Sequence, residues 1–433
     1  MRAYKMNDRN QLLLMPPSVD DWLPKDHLAR FIVETVELLN LSAFYDVYER
    51  SKRGRPPYDP RTLVSLLIYS YSAGTLSSRK IEQATWTDVA FRFITGNLHP
   101  DHDTIANFRR LHGAAIEDVF AQIVQIAVQA RIVRLGHVSI DGTKMKANAS
   151  KEKRRSKKQL EQELATCKFS ELMKEAEAID EAEDEEHGNG NGHGLPPGME
   201  TKEGRAQKIR EALEALKQKE KQDKEEDPQG LKRRAWEAKA GKPYEPKVNT
   251  TDHDSRTMLF RNGVYDEGYN TQVAVDDDHG IIVAAGISQD SGDKQNLLPM
   301  LLQVQKNTGW LPDNATADAG YFNEAEMTDP RIRSVELFVK PKKKAVTGKL
   351  LSKKLDYGDR MRERLEEPLG RTLYQARMTL VEPVFGAIKQ ARGFRQFLLR
   401  GLTGVRCEWA LVCMVHNLKK MYNLKPSLAA LMS

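Results

Sequence analysis

Cysteine is scarce in this 433-residue chain: Cys167, Cys407 and Cys413 are the only three, and none has the short spacing of a redox or metal pair. That argues against a disulfide framework and predicts a reducing compartment. Long apolar runs are missing too. No stretch reaches the roughly 18 uninterrupted apolar residues of a membrane span, and the opening MRAYKMNDRNQ lacks the apolar centre of a secretory leader. A cytoplasmic protein without a membrane partner is expected. There is no G-x-x-x-x-G-K-[ST] loop to cradle phosphates, so no nucleotide cofactor is expected either. Charge, by contrast, is plentiful but nearly balanced at net +6, an excess that suits a polyanionic partner without establishing one.

The length allows two or three domains. From Trp22 to about Ala130 apolar residues recur at helical intervals, as in Leu63, Leu66, Leu67 and Tyr71. Within this helical region, PRTLVSLLIYSYSAG, TLSSRKIEQATW and DHDTIANFRRLHG predict helix, tight turn at Gly74, helix, and a short third helix N-capped by Asp103 and carrying Arg109 and Arg110. A helix-turn-helix and a plain bundle fit equally. Just upstream, Lys52-Arg53-Gly54-Arg55-Pro56-Pro57 resembles a minor-groove hook in which Arg53 and Arg55 would lie along DNA; a solvated linker is the alternative.

The pattern changes at Gly136. HVSID reads as a short strand ending at Asp141. From 150 to 249 the chain is almost wholly charged and helix-forming. Leu160, Leu164 and Leu172 mark one amphipathic part, and Ile209, Leu213 and Leu216 another, with EDEEHGNGNGHGLPPG between them. Two helices joined by a loop, inserted into the following domain, is the simplest account, and a disordered charged segment is the other. β-rich runs resume near Phe260: YNTQVAVD and GIIVAAGIS flank a turn, then come a helix through Leu297, Leu301 and Val304, a strand ending at Asp318, a small helix near Glu324 and the strand VELFVKP. An α/β sheet with helices on its faces follows.

Three carboxylates stand out: Asp141 in VSIDGTK, Asp318 in ATADAGY and Glu382 in VEPVFGAIKQ. Two-metal phosphoryl transfer needs about three acidic side chains on rigid supports, because Mg²⁺ takes hard oxygen ligands and keeps several waters. Glycines 142 and 320 leave room beside the first two. In the third motif Val381, Val384, Phe385 and Ile388 form one helical stripe, and Pro383 favours the first helical position, which places Glu382 at a helix mouth with Lys389 about two turns on. A salt-bridged surface helix is the bland alternative. Asp252, Asp254 and Asp266 rank second as ligands. Asp276, Asp277 and Asp278 read as a hairpin tip, and Cys407, Cys413 and His416 as the packed face of a helix rather than a zinc site.

Taken together, VSIDGTK, TDHDSRTM, GYNTQVAVD, ADAGY and VEPVFGAIKQARGFRQFLLRG, with PPYDPRTLVSLLIY and SSRKIEQ upstream, resemble a DDE transposase of bacterial insertion sequences. The resemblance implies a ribonuclease-H-like α/β catalytic core with an all-helical N-terminal domain and a charged helical insertion. The expected division is 1–130 for DNA binding, 131–149 and 250–433 for the catalytic core with its C-terminal helices, and 150–249 for the insertion. Asp141, Asp318 and Glu382 would bind Mg²⁺, with Mn²⁺ as substitute, and catalyse end cleavage and strand transfer. The partner would be double-stranded DNA, held by at least a homodimer in the complex. That family's tyrosine-arginine-glutamate-lysine signature has its arginine four residues before the glutamate; here Lys389 matches, but Tyr374 and Arg377 stand eight and five residues before Glu382, and Met378 takes the arginine's place. A five-residue offset turns a side chain about 140° on an ideal helix. Lys144, Lys146, Lys389, Arg392 and Arg395 are the expected phosphate contacts beside the acids, joined by Arg400, by Lys340 to Lys344 and by the basic run 151–158. A structure-directed nuclease and a catalytically silent DNA-binding regulator are the alternatives.

Overall fold

The computed structural model describes residues 18–49, 56–166, 202–226, 234, 237–238, 241, 243–341 and 357–424. Among the described residues eight helices come first: α1 (Val19–Trp22), α2 (Leu28–Glu37), α3 (Ser42–Glu49), α4 (Pro60–Ser72), α5 (Ser78–Thr87), α6 (Val89–Thr95), α7 (His102–Leu111) and α8 (Gly113–Gln129). Their starts follow from capping. Asp59 caps α4 ahead of Pro60, which suits a position whose N–H is unused. Asp101, rather than the expected Asp103, caps α7 by accepting from the Thr104 amide at 2.6 Å, and Asp103 falls within the first turn. Gly74, with φ of 76°, makes the turn between α4 and α5.

The sheet begins with β1 (His137–Lys146). After β2 (Arg154–Ser156), α9 (Lys157–Thr166), α10 (Lys202–Glu226) and β3 (Lys247–Asn249), it continues with β4 (Arg256–Leu259), β5 (Tyr265–Asp276) and β6 (Ile282–Ser288). Then come α11 (Leu297–Thr308), β7 (Asn314–Ala317), α12 (Glu324–Met327) and β8 (Glu336–Val339). The order is β4-β5-β1-β7-β8, with β6 also paired to β5. β5 runs antiparallel to β1, β4 and β6, whereas β1, β7 and β8 are parallel. The chain closes with α13 (Tyr357–Glu366), α14 (Pro368–Gly386), a π-helical turn (Ala387–Ala391) and α15 (Gly401–Leu424).

One apolar cluster joins the N-terminal helices to the sheet. It takes in Leu66, Leu67 and Ile123 from α4 and α8, Ile140, Val273 and Ala317 from the sheet, and Trp409, Val412 and Met414 from α15. The charged region has a small core of its own, Leu160, Ile209, Ala212, Leu216 and Val248, with Leu164 and Leu213 packed against it. Its base is the β2–β3 ladder, in which Ser156 faces Lys247. Leu172 and the expected loop lie outside the described residues. Among the described residues no single helix is long and apolar enough to cross a membrane.

Candidate active site

Ile140 on β1 pairs in parallel with Ala317 on β7. Asp141 and Asp318 are the next residues on these neighbouring strands, about 4.8 Å apart across the ladder. β1 does not stop at Asp141 as expected but runs on to Lys146, because Met145 and Ala147 are buried and carry it into the core. β7 does stop, and Asp318 caps the turn that follows by accepting from the Gly320 amide at 2.7 Å. The edge of β1 left open by β7 is taken further along by Gln396, bridged to Lys146, and the Phe397 amide donates to the Lys146 carbonyl at 2.9 Å.

Side chains alternate along β1, so Asp141 and Thr143 share one face, and α14 and the π turn reach both. Arg377 Nη1 donates to Asp141 Oδ2 at 3.2 Å, while Lys389 Nζ donates to Thr143 Oγ1 at 2.6 Å and to the Lys144 carbonyl at 3.1 Å. Arg377 also lies over the Tyr374 ring, 5.6 Å from its centre. Burial pushes the Asp141 carboxyl up to about 6; Asp318 and Asp293 add to the rise, and the Gly142 amide and Arg377 oppose it. Burial likewise brings the Lys389 ammonium down to about 8, helped by Arg261 and Arg395.

Glu382 is not brought to this pair. It lies well inside α14, which starts at Pro368, and its side chain is exposed. Pro368 already occupies the first turn, so Pro383 falls in the helix interior, where it has no N–H to donate although its carbonyl accepts from the Ala387 amide, and the helix relaxes into the π turn four residues later. Arg377 faces the carboxylates and Glu382, about 140° further round, faces away. Met378, in the arginine's expected place, is 53% exposed. Among the described residues no three His, Cys, Asp or Glu side chains stand at metal-holding distances.

The other expected contacts divide sharply. Arg109 is 2% exposed and donates to Tyr71 and to Ser78 of the same helical region, so it is a core residue and not a DNA contact. Arg392 turns inward, donating to the Val412 carbonyl at 3.0 Å beside His416, and burial brings it down to about 10. Lys144 projects to the face opposite Asp141 and donates to the Leu259 carbonyl at 3.0 Å. Lys146 pairs with Asp266 at 2.9 Å, which removes Asp266 from the ligand candidates. Arg110 and Arg395 are exposed. Arg53 and Arg55, like Lys342 to Lys344, lie outside the described residues. Asp252 and Asp254 are occupied at the start of α15, Asp252 accepting from Tyr269 Oη at 2.8 Å and from the Gly401 amide, and Asp254 from the Leu402 amide at 2.8 Å. Cys407 and Cys413 are buried in α15, and His416 binds the Gly280 carbonyl.

Asp293, in the loop before α11, went unread in the sequence. Its Oδ1 accepts from Asn270 Nδ2 and Gln272 Nε2, each at 2.8 Å, and its charge acts on Asp141 and on Tyr321. Its one available signal was an acid beside glycine directly after a strand.

Two family models match the chain: a transposase domain of otherwise undefined function over residues 17–111, and a transposase DDE domain over residues 340–422. Together the two matches support a DDE transposase of the insertion-sequence type. The first match covers α1 to α7 of the transposase; the second covers α13, α14, the π turn and most of α15, and so includes Arg377, Glu382 and Lys389 but neither Asp141 nor Asp318. Comparison with curated proteins and with solved structures gives no match. DDE transposases generally work with divalent metal ions. The donor chemistry of this transposase fits one: the half-buried Asp141 carboxylate beside that of Asp318 offers hard oxygens, with more negative charge nearby than Arg377 alone neutralises. A side chain at Gly320 would come within 2.8 Å of Asp318 Oδ1.

Proposed function

We propose that this transposase binds the inverted repeats at the ends of its element, cleaves there, and joins the freed ends to target DNA, with Asp141 and Asp318 holding Mg²⁺ or Mn²⁺. The observation that carries the reading is the parallel register of β1 and β7, which sets these two carboxylates side by side. The central strand with one parallel and one antiparallel neighbour, and helices packed on the sheet, supports a ribonuclease-H-like core. A bound divalent cation would lower the pKa of the attacking hydroxyl and neutralise charge on the leaving oxygen.

The chain's own residues do the rest. Asp141 and Asp318 supply oxygens from adjacent strands, and Lys389, held at Thr143, offers an ammonium to a phosphate crossing that face of β1. Arg110 and Arg395 are among the expected basic residues that stay exposed and available to DNA. Glu382 joins the site only if α14 turns by about 140°, carrying Arg377 away from Asp141. Joining two ends requires two active sites, hence at least a dimer on DNA.

Asp141→Asn is expected to reduce strand transfer from a pre-nicked end to background while leaving end binding in a mobility-shift assay within about twofold. Strand transfer by this variant would refute the assignment. One observation favours a second reading, a silent DNA-binding regulator: Arg377 occupies Asp141 while Glu382 faces outward. Calorimetric titration of the DNA complex with Mn²⁺ separates the two, since the regulator takes up no metal.

A further inference from the structure

We propose that Asp293, Gln272 and Tyr321 form a positioning clamp that fixes the Asp318 carboxylate relative to Asp141. The inference deepens the two-metal reading and rests on it for its functional consequence.

Gln272 is the pivot. Its side-chain amide donates through Nε2 to Asp293 Oδ1 at 2.8 Å and accepts through Oε1 from the Tyr321 hydroxyl. Both partners fix the orientation of the amide, because an ionised carboxylate only accepts and a protonated phenol donates. Tyr321 closes the same short turn that Asp318 caps, and the Tyr321 amide donates to the Asp318 carbonyl at 3.2 Å. A pull on the phenol is therefore a pull on Asp318.

The other end of the clamp lies against β1. Gly142, directly after Asp141 and paired with Gln272, lies against the clamp: a Cβ there would stand 2.4 Å from Gln272 Nε2 and 2.9 Å from Asp293 Oδ1 and would displace both. On the Asp318 side, a Cβ on Gly320 would lie 3.4 Å from Asp293 Oδ2. The clamp is thus wedged between the two acid-bearing segments. Asn270, donating to the same Asp293 oxygen, steadies its outer end. Partners that orient ligands are commonly worth 10- to 100-fold in metal affinity.

Two substitutions separate geometry from charge. Asp293→Ala removes the acceptor, whereas Asp293→Asn keeps a carbonyl oxygen able to accept from Gln272 and Asn270 but loses the charge. Hydrogen exchange of the full-length protein should show the 317–323 segment exchanging at least tenfold faster in Asp293→Ala and unchanged in Asp293→Asn. In the DNA complex, the calorimetric Mn²⁺ affinity should fall about tenfold in the alanine variant and be restored to within about threefold by asparagine. Unchanged exchange in the alanine variant, or equal loosening in both variants, would overturn the clamp. If wild type takes up no Mn²⁺, the two-metal reading fails, while the exchange measurement still decides the clamp.

Discussion

Asp141 carries the most consequential electrostatic state in the molecule. Burial holds its carboxyl at about 6, above the ordinary aspartate value of 3.8, so its contribution to stability is fully present below about pH 4 and is lost as the pH rises through about 6. The ionised carboxylate therefore strains the metal-free fold at neutral pH, by an amount on the order of 2 to 3 kcal/mol. Asp141→Asn should raise the thermal midpoint of the metal-free protein at pH 8 and leave it nearly unchanged at pH 4. Asp276, pushed up to about 6 chiefly by its own burial, titrates in the same window, so the difference between variant and wild type is the quantity to measure. A difference that grew toward acid pH would refute the assignment. Residue-level chemistry was only partly legible beforehand. Asp141 and Asp318 announce themselves as acids that close apolar runs, with a glycine one or two residues on. Asp293 does not, because its importance comes from Gln272 and Tyr321, distant in sequence and brought to it by strand pairing.

At the scale of the element, α14 shows how one proline redirects a motif. The stripe of Val381, Val384 and Ile388 was readable from spacing, and all three are buried. The position of Glu382 was not, because two prolines each suit a helix start and only the fold selects Pro368. Pro383 then leaves the Thr379 carbonyl without its helical donor, and the Thr379 side chain turns back to the Ala376 carbonyl at 2.8 Å. Pro383→Ala should restore the ladder and stabilise the protein by about 1 to 3 kcal/mol, measured by denaturant unfolding. No gain would mean that the π turn has another cause. The β5–β6 hairpin and the α11 stripe were legible for the opposite reason: their patterns are local, and no competing signal sits nearby.

For the molecule as a whole, the boundary expected near residue 130 does not mark a gap in packing, since α4 and α8 share one core with α15 and the sheet. A buried polar knot fastens the two parts. Tyr71 donates to Glu408 Oε1 at 2.8 Å, Arg109 donates to Tyr71 at 3.1 Å, and the Leu398 and Leu399 amides donate to Glu408 Oε2. Removing one charge leaves the other buried and exposed to its full desolvation cost. Arg109→Ala should thus destabilise the protein by about 3 to 5 kcal/mol, and adding Glu408→Gln should recover part of that loss in a double-mutant cycle. If Arg109→Ala instead kept full stability and weakened only DNA binding, the buried role would be wrong. No sequence pattern could have revealed this knot, because Glu408 stands 337 residues from Tyr71, and Arg109 and Glu408 each alone resemble an ordinary surface group.

The ladder in which Ser156 faces Lys247 has a consequence for evolution and for engineering alike. The chain departs for the charged arm after Ser156 and returns at Lys247 one strand-spacing away, so a single narrow doorway serves both passages. Trimming the arm to a tight hairpin from Ser156 to Lys247 should therefore leave the sheet behind that doorway in register.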